Sequence, residues 1–195
     1  MDPGRILTNQ SSGKMGIEVA KEAYFRGAKV RLVYGFGTEV PPSYLDVVQV
    51  ETAEEMLRAV EREIAHCEIF VAAAAVADFS PQAAKEKIES RSGGFELKLT
   101  PTPKILANVI GSKAFKVGFK ALHDVPEDLL VKKARELIEE HRLSLVVAND
   151  VAKGVFRSES DEVYLVDRTG VTHVPRAPKA EVARQMWDRI VEMMR

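Results

Sequence analysis

Short apolar runs alternate with amphipathic helical stretches along the chain, and this alternation constrains the fold more than any other feature of the sequence. Residues 12–26 place Ile17, Ala20, Ala23 and Tyr24 at helical spacing, and Gly27 closes the stretch. Residues 29–34 (KVRLVY) then read as a short buried strand and 45–50 as a second strand, separated by a Gly- and Pro-containing loop. Thr52 with Glu55 three positions on forms a capping box for a helix reaching His66. Residues 68–75 (EIFVAAAA) read as a fully buried strand, 78–94 as a long polar loop of the kind often used as a lid, and 95–99 as an exposed strand. A short helix over 103–110, a strand over 115–119, a helix over 126–142 and a buried strand over 143–148 follow. Residues 163–166 and 171–174 form a hairpin turning at 168–170, and a helix over 178–194 ends the pattern. Continuous apolar strands separated by helices require a sheet covered on both faces. The expected class is therefore α/β, a Rossmann-like three-layer fold with a mostly parallel sheet and an antiparallel edge hairpin.

The 195 residues suit one domain over 1–195. Twenty-eight basic and 29 acidic residues leave a net charge of −1, which argues against nucleic acid as the main partner. A lone cysteine, Cys67, rules out an intrachain disulfide framework and suits a reducing, cytoplasmic setting as a buried structural thiol. No apolar run approaches the roughly 18 residues of a membrane span, and residues 1–5 contain no apolar signal core. The four histidines, at 66, 123, 141 and 173, do not fall at metal-ligand spacing.

The segment Thr8-Asn-Gln-Ser-Ser-Gly-Lys-Met-Gly16 leads directly into the first helix, with Ser11 or Ser12 available as cap. A helix start offers unpaired N–H groups and the positive end of a dipole, and glycines there allow close approach to phosphate. The same spacing also suits an ordinary capped helix packed tightly on a sheet. A nicotinamide-cofactor fold is the obvious rival, because Gly13-Lys-Met-Gly16-Ile17 imitates the glycine pattern of short-chain dehydrogenases. Against it, no strand precedes the turn, no acidic residue stands at the strand tip ending in Tyr34, and no tyrosine has a lysine four positions later.

Asp2-Pro-Gly-Arg-Ile-Leu-Thr-Asn-Gln-Ser-Ser-Gly-Lys-Met-Gly16 resembles the long N-terminal motif of the phosphopantothenate–cysteine ligase family. Ala74-Ala75-Val76-Ala77-Asp78-Phe79, Glu86-Lys87-Ile88, Thr102-Pro103-Lys104-Ile105-Leu106, Val117-Gly118-Phe119 and Val147-Ala148-Asn149-Asp150 resemble later motifs of that family, in order. The resemblance implies a ligase of coenzyme A biosynthesis that joins 4'-phosphopantothenate to cysteine through an acyl-nucleotidylate. It further implies CTP or ATP as co-substrate, Mg²⁺, a homodimer with a shared site, and an association with a phosphopantothenoylcysteine decarboxylase.

By the same resemblance Asn9 attends the acyl intermediate, while Ser11, Ser12 and Gly13 contact phosphate. Ala72, Ala73 and Ala74 let a nucleotide lie against the backbone, and Asp78 contacts the nucleotide or helps to hold Mg²⁺. Lys87 neutralises charge as a loop closes, and Phe119 packs on the base. Read without the resemblance, Asn9 is a turn residue, the alanines are tight packing, Lys87 is a surface lysine and Phe119 is core.

The chain also departs from the family pattern. The family places a strand and a Gly-Gly-Thr turn ahead of its Asp-Pro motif. Two lysines expected before Val-Ala-Asn-Asp are replaced by Leu137 and His141, with Lys132, Lys133 and Arg142 nearby. The loop reads Lys87-Ile-Glu-Ser rather than lysine-rich, and the glutamate after Val-Gly-Phe is replaced near Leu122. A catalytically weak homologue acting as a binding protein is therefore the second expectation.

Overall fold

The computed structural model describes residues 1–89, 96–153 and 158–195. Helix α1 (Lys14–Phe25) buries Ile17, Val19, Ala20 and Ala23 and ends in a Schellman turn. In that turn Gly27 takes a φ of 86°, and Ala28 N–H bonds back to the Ala23 carbonyl at 3.0 Å. Strands β1 (Arg31–Tyr34) and β2 (Asp46–Gln49) form a parallel pair. Helix α2 (Ala53–Glu63) starts at the expected capping box, with Glu55 N–H on Thr52 Oγ1 at 3.1 Å and the Glu55 carboxylate on the Thr52 amide.

Strand β3 (Ile69–Ala72) follows, then the antiparallel pair β4 (Phe79–Pro81) and β5 (Leu99–Pro101). β4 lies inside the segment expected to be irregular, and β5 begins where the expected strand over 95–99 ends. Residues 96–98 form no strand, so only Leu99 of that expectation is paired as a strand. Residues 90–95, the end of the expected loop and the first residue of the expected strand, lie outside the described residues. Helix α3 (Ile105–Asn108), β6 (Phe115–Leu122), α4 (Glu127–His141), β7 (Leu145–Asp150), β8 (Ser160–Val166), β9 (Val171–Pro178) and α5 (Lys179–Met194) complete the order.

The main sheet runs β3-β6-β7-β8-β9, parallel through β7 and antiparallel thereafter. Alternate residues of β7 feed opposite layers, as the two-residue period of a strand requires. Leu145 and Val147 join Val19 and Ala23 of α1 and Val182, Met186 and Ile190 of α5. Val146 and Ala148 join Leu130, Ala134 and Ile138 of α4. Trp187 fixes α5 to α1 through a buried bond from Nε1 to the Val19 carbonyl, at 2.9 Å. The result is the expected Rossmann-like three-layer α/β arrangement with an antiparallel edge.

Two strands depart from expectation. β1 and β3, both read as buried, are only partly buried along their length. Among the described residues β1 pairs only with β2 and β3 only with β6. Their other edges, together with Ala20 of α1 and Val60 of α2, line one cavity of about 1370 Å³. An apolar strand becomes fully buried only when neighbours flank both of its edges and layers cover both of its faces, and here the space between β1 and β3 is open.

Candidate functional site

The cavity opens where β3, β6 and β7 end, at the carboxyl edge that open α/β sheets use for ligands. Chain leaving β3 enters the alanine run while the start of α1 comes up against it. A Cβ built on Gly16 would lie 3.8 Å from Ala73 Cβ, an ordinary van der Waals contact, so the first turn of α1 lies close against the alanine run. Asn9 spans the remaining gap, donating from Nδ2 to the Ala75 carbonyl at 3.0 Å. Two motifs 66 residues apart thus form one wall.

Neither serine caps α1 as expected. The cap position is Gly13, with a left-handed φ of 81° and no side-chain cap bond. Ser11 Oγ accepts from Gly13 N–H at 3.4 Å and Ser12 Oγ from Lys14 N–H at 3.3 Å. The left-handed residue turns the chain before the helix starts, which carries both hydroxyls one step too far back. The first intrahelical bond runs from Ile17 N–H to the Gly13 carbonyl at 3.1 Å, and Met15 and Gly16 ahead of it both line the cavity.

Asn9, Ser11, Ser12, Gly13, Ala72, Ala73, Ala74, Asp78 and Phe119 all line this cavity. Asp78 is exposed and ion-paired with Lys104, and its carbonyl accepts from Thr102 N–H at 3.0 Å. Phe119 is partly buried and also packs against the core beneath α1 and α5. Lys87 does not line the cavity; it is exposed, but the next residue, Ile88, is tied to Asp2 and Arg5, which do line it. Ile88 N–H donates to Asp2 Oδ2 at 3.0 Å, and Arg5 bonds both the Ile88 carbonyl and Asp2. The Ile88 amide and the Arg5 guanidinium hold the Asp2 carboxyl at about 2.

Sequence reasoning gave no role to the cavity lysines Lys14, Lys104 and Lys179. Lys14, first in α1, pairs with Glu159; this bond raises the lysine pKa and lowers that of the glutamate. Lys104 pairs with Asp78; the Thr-Pro-Lys motif that contains it was noted, without a role for the lysine. Lys179, first in α5, is buried and lies near buried Asp161, which accepts from Asn149 Nδ2 at 3.1 Å. Burial pushes Asp161 up and Lys179 down, and each charge opposes the other's shift. Only the fold brings the starts of α1 and α5 together, so Lys179 left no local signal. Leu137 and His141 also line the cavity, whereas Lys132, Lys133 and Arg142 do not. Among the described residues, no group of three or more His, Cys, Asp or Glu is placed to hold a metal.

The family model described as DNA/pantothenate metabolism flavoprotein C-terminal domain matches residues 1–194. The chain belongs to this family. Among relatives of this domain, the coenzyme A biosynthesis bifunctional protein CoaBC of Thermococcus kodakarensis is 42% identical over 199 residues, covering 100% of this chain and 48% of that protein. The CoaBC protein of Methanocaldococcus jannaschii is 29% identical with the same coverage. The chain therefore spans about half the length of the curated relatives it matches. A solved C-terminal domain of CoaBC superposes with a TM-score of 0.79 at 30% identity, covering 99% of this chain and 88% of that one. A Cab2 mutant in complex with phosphopantothenate-cysteine gives 0.69 at 16% identity, covering 97% and 81%, and shares the fold. Membership in this family removes the nicotinamide-oxidoreductase rival.

Proposed function

We propose that this domain is the ligase that joins 4'-phosphopantothenate to cysteine in coenzyme A biosynthesis, using CTP or ATP. The observation that carries the reading is the Asn9–Ala75 contact, which brings the Gly-rich helix start and the alanine run together on one cavity wall. In the first step the substrate carboxylate attacks the α-phosphorus of the triphosphate, forming an acyl phosphate anhydride and releasing pyrophosphate. In the second the cysteine amine attacks the acyl carbon, and the nucleoside monophosphate leaves with the bonding electrons. Both steps build charge on oxygen, which fixed N–H donors and lysines stabilise. The Asn9 amide can donate without acting as a base. The first turn of α1 and Lys14 face the phosphates, Ala72, Ala73 and Ala74 leave room for the nucleotide, and Phe119 packs on its base.

Mg²⁺ belongs to the triphosphate in this reading. Among the described residues the cavity offers no carboxylate cage, and Mg²⁺ is commonly held by substrate phosphates with one or two carboxylates, here Asp78. Lys87 lies off the cavity, so its role in closure requires its segment to move or a second copy of the chain to deliver it. The latter suits a homodimer, which sedimentation in the analytical ultracentrifuge would test. The open space between β1 and β3 suits the strand that the family places ahead of the Asp-Pro motif. A partner decarboxylase and a cytoplasmic location complete the proposal. No described helix is long and apolar enough to cross a membrane.

A catalytically weak homologue is the second reading, favoured by Leu137 and His141 standing on the cavity wall where the resemblance calls for lysines. Incubation with phosphopantothenate, cysteine, Mg²⁺ and each triphosphate should release pyrophosphate, and Asn9→Ala and Lys87→Ala should suppress it. No release with either nucleotide supports the weak homologue; release unchanged in both variants overturns the site assignment.

A further inference from the structure

After β1 the chain doubles back and meets the mouth of α1. The Ser12 carbonyl accepts from Thr38 N–H and Glu39 N–H, both at 3.1 Å. Tyr34 Oη lies 2.6 Å from the Glu39 carbonyl and 3.3 Å from that of Ser12. A phenol carries one proton, and the shorter contact places it on Glu39. Burial, with Glu39 nearby, pushes the Tyr34 pKa up and keeps the hydroxyl a donor.

The ring occupies space that two missing side chains leave free. A Cβ on Gly13 would fall 2.4 Å from Tyr34 Oη and 2.7 Å from its ring. A Cβ on Gly37 would fall 2.2 Å from the same oxygen and 2.6 Å from the Ser12 carbonyl. Tyr34 is thus wedged between the left-handed turn that opens α1 and the loop that grips Ser12. Its neighbours Ser11, Ser12 and Gly13 are the proposed phosphate contacts, and they line the same cavity as Tyr34.

We propose that Tyr34, wedged between Gly13 and Gly37, is a positioning residue that holds the Ser12–Gly13 turn in the shape that grips the nucleotide's phosphates. This rests on the reading of that turn given under Proposed function. The ring sets the turn and the hydroxyl secures the loop behind it. Donors fixed before the ligand arrives need no ordering when it binds.

The test compares wild type, Tyr34→Phe and Tyr34→Ala. Calorimetry measures binding of CTP and of ATP, the ligation assay gives KM for each substrate, and hydrogen exchange follows the Thr38 and Glu39 amides. In Tyr34→Ala, nucleotide Kd and KM should rise about tenfold or more while the cysteine KM stays within about threefold. Its Thr38 and Glu39 amides should lose protection. Tyr34→Phe, which keeps the wedge, should recover most of the nucleotide affinity. Unchanged nucleotide Kd in Tyr34→Ala, or an equal rise for every substrate, overturns the proposal. A wild type that binds nucleotide but makes no product defeats the ligase reading while leaving Tyr34 testable by Kd; a wild type that binds neither nucleotide defeats both.

Discussion

At the scale of single residues, the site depends on donors held in place by other atoms. Asn9 is exposed, yet its amide is fixed by the Ala75 carbonyl. Asn9→Asp keeps the shape but sets a carboxylate against that carbonyl and places negative charge where the reaction develops its own. We expect kcat to fall about 10²–10³-fold, the range for loss of one oxyanion donor. Nucleotide KM should change far less, because the α1 amides are untouched. Steady-state kinetics separate the two quantities, and an undiminished kcat would remove Asn9 from the chemistry. Asp78 and Lys104 neutralise each other in this state, so a triphosphate entering the cavity competes with the carboxylate for the lysine.

Between elements, an ion pair of a buried Asp167 with a half-buried Arg189 joins the β8–β9 hairpin to α5. Asp167 is 2% exposed and accepts from Thr169 N–H, Thr169 Oγ1 and Gly170 N–H at 2.7, 2.6 and 2.9 Å, fixing the hairpin turn. Its other oxygen accepts from Arg189 Nη2 of α5 at 2.6 Å. Burial alone would raise the carboxyl, but the Thr169, Arg189 and Gly170 donors override it and hold the pKa at about 2, below the ordinary 3.8. A folded pKa below the unfolded one adds stability that is full above about pH 4 and lost as pH falls through about 2. That contribution is about 2 kcal/mol. Urea unfolding of wild type and Asp167→Asn across pH should show the gap narrow by about that amount between pH 5 and pH 2. A gap independent of pH would mean that the charge of Asp167 contributes nothing.

For the molecule as a whole, stability is distributed unevenly on either side of the cavity. β6 and β7 are flanked by strands and covered by α1, α4 and α5, whereas β1 and β3 each have one strand neighbour among the described residues. Amides on the cavity edges of β1 and β3 should exchange at least about tenfold faster than those of β7, since protection follows local opening. Fusing a Val- and Ile-rich five-residue strand and a Gly-containing turn ahead of Met1 should slow exchange at both edges and raise Tm. A Gly/Ser segment of equal length should do neither. Equal protection of β1, β3 and β7 without any addition would show that the cavity closes in solution.

The order of helices and strands apart from β4 and β5, the capping box at Thr52, the hairpin and the motifs on the cavity wall were legible in the sequence, because each rests on residues close together in the chain. Periodicity and capping chemistry are local, and the motif strings were contiguous. What required the fold were relations between distant segments: Lys179 beside Asp161, Tyr34 beneath Gly13, and the partial burial of β1 and β3. Hydrophobic pattern tells which face a residue prefers, but not whether a neighbour is present to cover it. Only tertiary structure could decide burial, cavity shape and charge pairing, because these depend on which chains lie alongside rather than on which residues lie next in sequence.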